Sequence, residues 1–406
     1  MATNFYQKIY QSKKSSARLG IITTSHGKIN TPAFVPVATK GTIKALLPEL
    51  LKTIKTQIAI VNTYHLVTHP GTDIIKKAGG IHNFSKLNLP LMSDSGGFQV
   101  FSLQMKSEKL KVKSIKTNKP IANVRSEEHP LVVKISDDGV KFRSAYDGQL
   151  IEFTPEKSIE YQLAIGADIM MAFDECTYYP ATYKYADKAM KRTHQWLKRC
   201  LKQVDSEKLK VKSLKLQNIS YTRYLYGVIQ GGTYEDLRKK SAEFVCGLNT
   251  DGIAIGGVSV GETKKEMRDQ VKWVASYLPA DKPVHLLGVG QFDDIIDLVK
   301  YGVDTFDCVE PTRLARMGTL YQVKNEQLRI SSSESIDINK AIYKYNLTLV
   351  DENCDCYVCK NFTKAYLHHL FKQKEILGYT LATYHNLYVM ERFFAMMRKI
   401  IKEDKI

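Results

Sequence analysis

The chain has 406 residues, 44% of them hydrophobic, which is enough for one large barrel or two ordinary domains. Its 59 Lys and Arg against 42 Asp and Glu leave a net charge of +17; this favours a polyanionic partner through counterion release, although a solvated lysine-rich surface gives the same excess. No run reaches the roughly 18 apolar residues of a membrane helix, and the opening residues lack the apolar region of a secretory signal, so a cytoplasmic protein with no membrane partner is expected.

In chain order, short apolar or β-branched runs occur at 33–37, 58–61, 91–93, 169–173, 226–229, 253–256, 284–287 and 304–306. Helical patterns lie between them at 48–55, 155–165, 235–244 and 291–301, the second with Thr154 as cap and Pro155 at its first position. Eight strands alternating with helices predict a parallel (β/α)8 TIM barrel. The residues just past the runs are Asn62, Asp94, Asp174, Gln230, Gly257, Gly288 and Asp307. In such barrels the C-terminal strand ends form the active-site rim, although a single Asp there can simply cap a helix.

An excursion over 105–150 contains a hairpin signal, with 132–136 and 140–144 flanking Asp137-Asp138-Gly139. The octapeptide Ser-Glu-Lys-Leu-Lys-Val-Lys-Ser occurs at 107–114 and again at 206–213. Both copies read as lysine-rich, solvated loop insertions, near 105–130 and 205–220.

Several short motifs carry chemistry. In Ser93-Asp94-Ser95-Gly96-Gly97-Phe98-Gln99 the glycines permit close backbone approach or a tight turn, Phe98 offers a flat face and Asp94 can take a proton. Asp174, in Phe173-Asp174-Glu175-Cys176-Thr177, can accept two neighbouring donors from a base edge. Gln230 offers donor and acceptor, and Gly256-Gly257-Val258 exposes peptide groups. Asp307 ends a strand just before Arg313 and Arg316, the place for a nucleophile facing an anion. Seven cysteines make an odd set for disulfides, and three of them form Cys-x-Cys-x-x-Cys at Cys354, Cys356 and Cys359, which points to a metal. His368, His369 and His385 compete as the fourth ligand; a closed Cys3His set is structural, with no position left for a substrate water. The apolar stripe of 386–402 reads as barrel packing more than as an RNA-binding face.

From Pro32 to His385 the chain resembles the tRNA-guanine transglycosylases, through Asn62-Thr63-Tyr64-His65-Leu66, Asp94-Ser95-Gly96-Gly97-Phe98-Gln99-Val100, Phe173-Asp174-Glu175-Cys176-Thr177, Gln230-Gly231, Gly256-Gly257, Leu287-Gly288-Val289-Gly290, Asp307-Cys308-Val309 with Pro311-Thr312-Arg313, and the cysteine cluster. The resemblance implies exchange of the wobble guanine of G-U-N anticodon tRNAs (Asp, Asn, His and Tyr) for a free 7-deazaguanine base, in queuosine biosynthesis. Asp307 would attack the ribose anomeric carbon to give a covalent ribosyl-enzyme, with Asp94 as general acid/base. That division of labour suits glycosidic cleavage, where one carboxylate traps an oxocarbenium-like centre and another manages the proton.

By the same resemblance Asp174, Gln230 and Gly257 frame the base, with Val258 and Cys176 in its pocket. Phe98 and Leu287 form the stacking walls, Asn62 orients Asp94, and Arg313 and Arg316 hold the bases flanking the flipped nucleotide. His385 becomes the fourth ligand of one structural Zn2+. The implied domains are a barrel over 1–310, a zinc-binding subdomain inserted at 311–385 and a final helix over 386–406, in a homodimer. Val260 and Cys176 resemble the bacterial type, which inserts the aminomethyl precursor base preQ1; Val258-Ser259 replaces the usual Leu-Ala, so queuine remains the alternative. Readings of another class are a non-catalytic tRNA-binding subunit, which loss of the nucleophile would mark, and a barrel enzyme for a small phosphate ester.

Overall fold

The computed structural model describes residues 5–97, 131–144, 146–213, 223–323 and 335–406. Phe98 and the first octapeptide copy lie outside them. Eight short strands, β1 (Ala33–Pro36), β2 (Ala59–Val61), β3 (Leu91–Ser93), β4 (Ile169–Met171), β5 (Tyr224–Ile229), β6 (Gly252–Ile255), β7 (Val284–Leu286) and β8 (Thr305–Cys308), form one sheet in the order β1-β8-β7-β6-β5-β4-β3-β2. The pairings of β3 with β4, β4 with β5, β5 with β6, β7 with β8 and β8 with β1 are parallel, and a parallel bridge between Val37, just past β1, and Ile60 in β2 joins the two ends of that order. A parallel sheet that follows chain order in this way is the expected (β/α)8 class. Each strand lies within two residues of its expected bounds.

The chain divides into two compact units, residues 61–85 with 91–282, and residues 1–60 with 86–90 and 283–406. In the first, α1 (Pro155–Ile165) starts as its sequence predicts: the Thr154 side chain accepts from the Lys157 amide, Pro155 occupies the first turn, and Gly166 ends the helix at φ +84°. Helix α2 (Tyr183–Ser213) packs Trp196 on Phe173, ring centroids 4.7 Å apart. The expected hairpin is a three-stranded antiparallel sheet, Leu131–Ile135, Val140–Arg143 and Leu150–Phe153. Its turn is held by α2, because the Asp137 carboxylate accepts from Arg192 (2.8 Å) and its carbonyl from Trp196 Nε1 (2.6 Å).

The second octapeptide copy is not a loop: residues 206–213 are the end of α2. Glu, Lys and Leu are good helix formers, so the segment continues the helix in spite of its high charge. Helices α3 (Glu235–Cys246) and α4 (Lys264–Val274) follow β5 and β6, the latter opened by a capping box between Thr263 and Glu266.

The second unit begins with an antiparallel sheet that the sequence reading missed, Tyr6–Gln11, Arg18–Thr24 and Gly27–Thr31. Asp304, fully buried just before β8, ties it down. Its carboxylate accepts from Tyr6 Oη (3.0 Å), the Thr31 hydroxyl (3.3 Å) and the Val284 amide (2.7 Å), and pairs with Arg18 at 2.5 Å. A buried carboxylate is tolerable only when satisfied in this way.

Helix α5 (Glu310–Arg316) follows β8, and α6 (Ile376–Lys402) ends the fold. Because α6 starts at Ile376, the expected boundary at 385/386 falls inside one continuous helix. Its apolar stripe is packing, as expected: Phe394 lies 6.1 Å from Phe34 of β1 and 5.9 Å from Phe306 of β8, centroid to centroid. Among the described residues no helix is long and apolar enough to cross a membrane.

Candidate active site

Asp94 follows β3 and is half-buried. Its carboxylate receives the side-chain amide of Asn62 on Oδ2, and the backbone N–H groups of Thr63 (2.8 Å) and Gly96 (3.1 Å) on Oδ1. Asn62 can serve because its other amide atom is already committed: Oδ1 caps the helix Thr63–Thr68 by accepting from the His65 amide at 3.0 Å. The Asn thus stands between a helix end and the carboxylate, which fixes its orientation and that of Asp94.

Asp174, past β4, is 6% exposed. Ser95 Oγ donates to its Oδ1 at 2.8 Å and Gln230 Nε2 to its Oδ2 at 2.7 Å. The desolvation of burial pushes its pKa up, and these two hydrogen bonds only partly oppose the shift. Gly97 is required here by the protein itself, since a Cβ would lie 2.5 Å from the Asp174 carbonyl oxygen. The close approach expected of this glycine motif is therefore made to Asp174.

Gln230, past β5, is fully buried, and its Oε1 has no partner among the described residues. Gly257, past β6, lies against it at φ +63°, where a Cβ would come within 2.2 Å of that oxygen. Val258 is buried beside it in sequence, and Cys176 is a buried thiol pushed up to about 12 by desolvation, so it is neutral. The loop after Gly257 places Ser259 at φ +60°, with the Ser259 and Val260 amides donating to the Glu262 carboxylate (2.5 and 2.9 Å). The sequence reading gave Glu262 no role.

It also passed over Arg238, on the inner side of α3. The Arg238 guanidinium is fully buried and donates to the carbonyls of Gly232 (2.7 Å), Gly256 (2.6 Å) and Gly257 (2.8 Å). Within a helical pattern an arginine reads as a solvated residue, and only the fold turns it inward.

The other unit holds Asp307, inside β8 rather than just past it. The Gly288 amide donates to its Oδ1 at 3.0 Å, and His285 Nε2 sits 3.2 Å from the same oxygen. His285 is fully buried in β7 with Nδ1 2.9 Å from the Thr305 hydroxyl, which sets its ring. No motif had singled it out, because His285 lies within an apolar strand run. Both contacts fall on Oδ1. Leu287 is half-buried after β7. Arg313 and Arg316 share one side of α5 at i, i+3 spacing, Arg313 exposed and Arg316 half-buried with a hydrogen bond to the Thr312 carbonyl (2.7 Å).

Cys354, Cys356, Cys359 and His385 are all buried, with their ligand atoms within 4.8 Å of one another. His385 Nδ1 lies 3.8, 3.6 and 3.3 Å from the three sulfurs, near the roughly 3.5 Å edge of a tetrahedral sulfur and nitrogen site. Its Nε2 lies 2.8 Å from the Tyr321 carbonyl and donates to it, which leaves Nδ1 for the metal. The cluster is thus built to hold a metal ion. His368, which competed with His385, is buried with Nδ1 2.7 Å from the Ile338 carbonyl; it is neither a ligand nor a surface residue. Next to His385, Asn386 bonds the Tyr321 amide and the carbonyls of Pro311 and Thr319, which couples the cluster's helix to α5.

Asp174 also carries a pH prediction. A carboxylate with a raised pKa gains its proton at a higher pH than an ordinary one, and once protonated it can no longer accept two donors from a ligand. The affinity of any ligand that donates two hydrogen bonds to this carboxylate is expected to fall as pH falls, beginning above the usual carboxylate range; an affinity that stays flat down to that range would contradict it.

A family model described as "Queuine tRNA-ribosyltransferase" matches residues 12–406. The chain is 44% identical over 406 residues to the queuine tRNA-ribosyltransferase of Thermoanaerobacter pseudethanolicus, covering 100% of this chain and 96% of that one. It is 41% identical over 401 residues to the protein of that name from Halothermothrix orenii (99% and 94% covered), and 42% identical over 401 residues to that from Bacillus licheniformis (99% and 93%).

Proposed function

The chain belongs to the queuine tRNA-ribosyltransferase family, and on that premise we propose how its residues carry out tRNA-guanine transglycosylation in the queuosine pathway. Asp307 is the nucleophile. Its Oδ2 forms a bond to C1′ of the wobble ribose as the bond from C1′ to N9 breaks, and the electron pair leaves on guanine, which takes a proton from Asp94. In the second half, the incoming base gives its N9 proton to Asp94, N9 attacks C1′, and Asp307 leaves as the carboxylate. His285 and the Gly288 amide, both on Oδ1, keep the other oxygen directed for attack.

The observation that carries the base-recognition part is the buried Oε1 of Gln230, without a partner among the described residues, beside the Asp174 carboxylate. A guanine edge presents N1–H and the 2-amino group as donors and O6 as an acceptor. Buried acceptor oxygens at 174 and 230 suit the donors, and peptide N–H groups at Gly257 and Val258 suit O6. Phe98 and Leu287 stack on the ring, Asn62 positions Asp94, and Arg313 and Arg316 contact the bases beside the flipped nucleotide in tRNAs for Asp, Asn, His and Tyr.

The inserted base is preQ1. The neutral, buried Cys176 and the half-buried Val260 suit a small aminomethyl substituent rather than the larger one of queuine. Supplying preQ1 and queuine separately with a G-U-N tRNA tests this: a higher kcat/KM for preQ1 is expected, and a preference for queuine would reverse the assignment. The metal is one structural Zn2+ on Cys354, Cys356, Cys359 and His385. The working unit is a cytoplasmic homodimer in which one copy does chemistry and the other helps hold the tRNA; sedimentation of the purified protein as a monomer would refute the dimer.

A further inference from the structure

We propose that Arg238 is a positioning residue for base recognition, acting through the peptide groups of Gly256 and Gly257; the inference rests on the base-recognition reading above and extends it to a residue that touches no substrate. Arg238 makes five hydrogen bonds, to the carbonyls of Gly232 (2.7 Å), Ile229 (3.4 Å), Gly256 (2.6 Å) and Gly257 (2.8 Å) and to Gln270 Oε1 (2.5 Å). All are neutral oxygens. A fully buried guanidinium held this way is costly, and burial pulls its pKa down to about 10, still protonated at neutral pH.

The geometry of the peptide bond gives that charge its purpose. In a trans peptide the C=O and the following N–H point in opposite directions. With the Gly256 and Gly257 carbonyls both aimed at Arg238, the N–H groups of Gly257 and Val258 both point away from it. The backbone there is left-handed at Gly257, φ +63°, a turn of the kind in which successive N–H groups can converge on an acceptor; the Gly257 N–H faces the neutral Cys176 thiol. A cation on the carbonyl side also polarises each peptide and strengthens its N–H as a donor.

Gly257 touches Gln230, and Gln230 touches Asp174. The donors therefore lie on the protein segment next to the acceptors proposed for N1–H and the 2-amino group, where a guanine carries O6. Arg238 reaches three places at once: the turn after β5 at Gly232, the turn after β6 at Gly256 and Gly257, and α4 at Gln270. It fixes the spacing between the segments that meet the base, while making no contact with the base itself.

The test compares guanine with 6-thioguanine, which keeps N1–H and the 2-amino group but replaces O6 with a poor acceptor. Labelled-guanine exchange into a G-U-N tRNA gives KM and kcat, and competition gives the inhibition constant of 6-thioguanine. In Arg238→Lys, guanine KM is expected to rise about tenfold with kcat within about twofold of wild type and the 6-thioguanine constant unchanged. A merely structural role would weaken both bases alike and lower kcat, and that result overturns the proposal, as does an unchanged guanine KM. If Arg238→Lys does not fold, Gln270→Met, which removes one anchor of the guanidinium, is expected to show the same guanine-specific loss at about threefold; an equal loss for both bases there overturns it too. Failure of wild-type protein to exchange guanine at all would instead refute the underlying reading of function.

Discussion

Asp307→Ala is expected to lower base exchange by a factor on the order of 10⁴ or more, because it removes the atom proposed to bond to the ribose, and groups acting as one catalytic unit lose nearly everything together. Tertiary stability is not at stake in that change. The Asp307 side chain is 13% exposed and its contacts are the Gly288 amide and His285, while the neighbouring buried carboxylate, Asp304, bears the structural load. The variant should keep its melting temperature within a few degrees and still bind tRNA. The covalent tRNA adduct expected of the wild type on a denaturing gel should be missing. Normal exchange by Asp307→Ala would sink the nucleophile assignment.

Stripping the metal is expected to unfold the region around the cluster without altering base recognition. Three buried thiols and a buried imidazole lie within 4.8 Å of one another, and without an ion their mutual burial is uncompensated. Structural zinc sites contribute apparent free energies of about 10–16 kcal/mol in small peptides, so the local fold is expected to depend on an ion held here. The loss should spread along a defined route. His385 and Asn386 are adjacent on α6, and Asn386 holds the Tyr321 amide and the carbonyls of Pro311 and Thr319, next to the helix carrying Arg313 and Arg316. Hydrogen exchange should therefore increase at 350–386 and at 311–321, and tRNA affinity should fall while guanine affinity holds. Unchanged protection in metal-free protein, or a loss confined to proton transfer, would contradict a structural metal.

The legible part of the site was the part set by short-range pattern. Asn62, Asp94, Asp174, Gln230 and Gly257 follow strand runs, and strands of three to six residues with apolar, β-branched content announce themselves by composition. Cys354, Cys356 and Cys359 carry their geometry in their spacing. Other features had no such signal. The second lysine-rich octapeptide resembles an insertion by charge, yet its residues favour helix and complete α2. The N-terminal sheet is secured by Asp304, some 286 residues beyond its partner Arg18, a distance at which no local pattern operates.

By itself the sequence determined the (β/α)8 class, the strand-end carboxylates and the metal-binding thiols, because each depends on periodicity or spacing within a few residues. Tertiary structure alone decided which polar groups face inward. It turned His285 toward Asp307, His368 toward a backbone carbonyl instead of a metal, and Arg238 toward the carbonyls of Gly256 and Gly257. The physical reason is common to all three: a buried polar group must sit beside an oppositely polarised one, and which oxygen lies within reach is settled by the packing of elements distant in sequence.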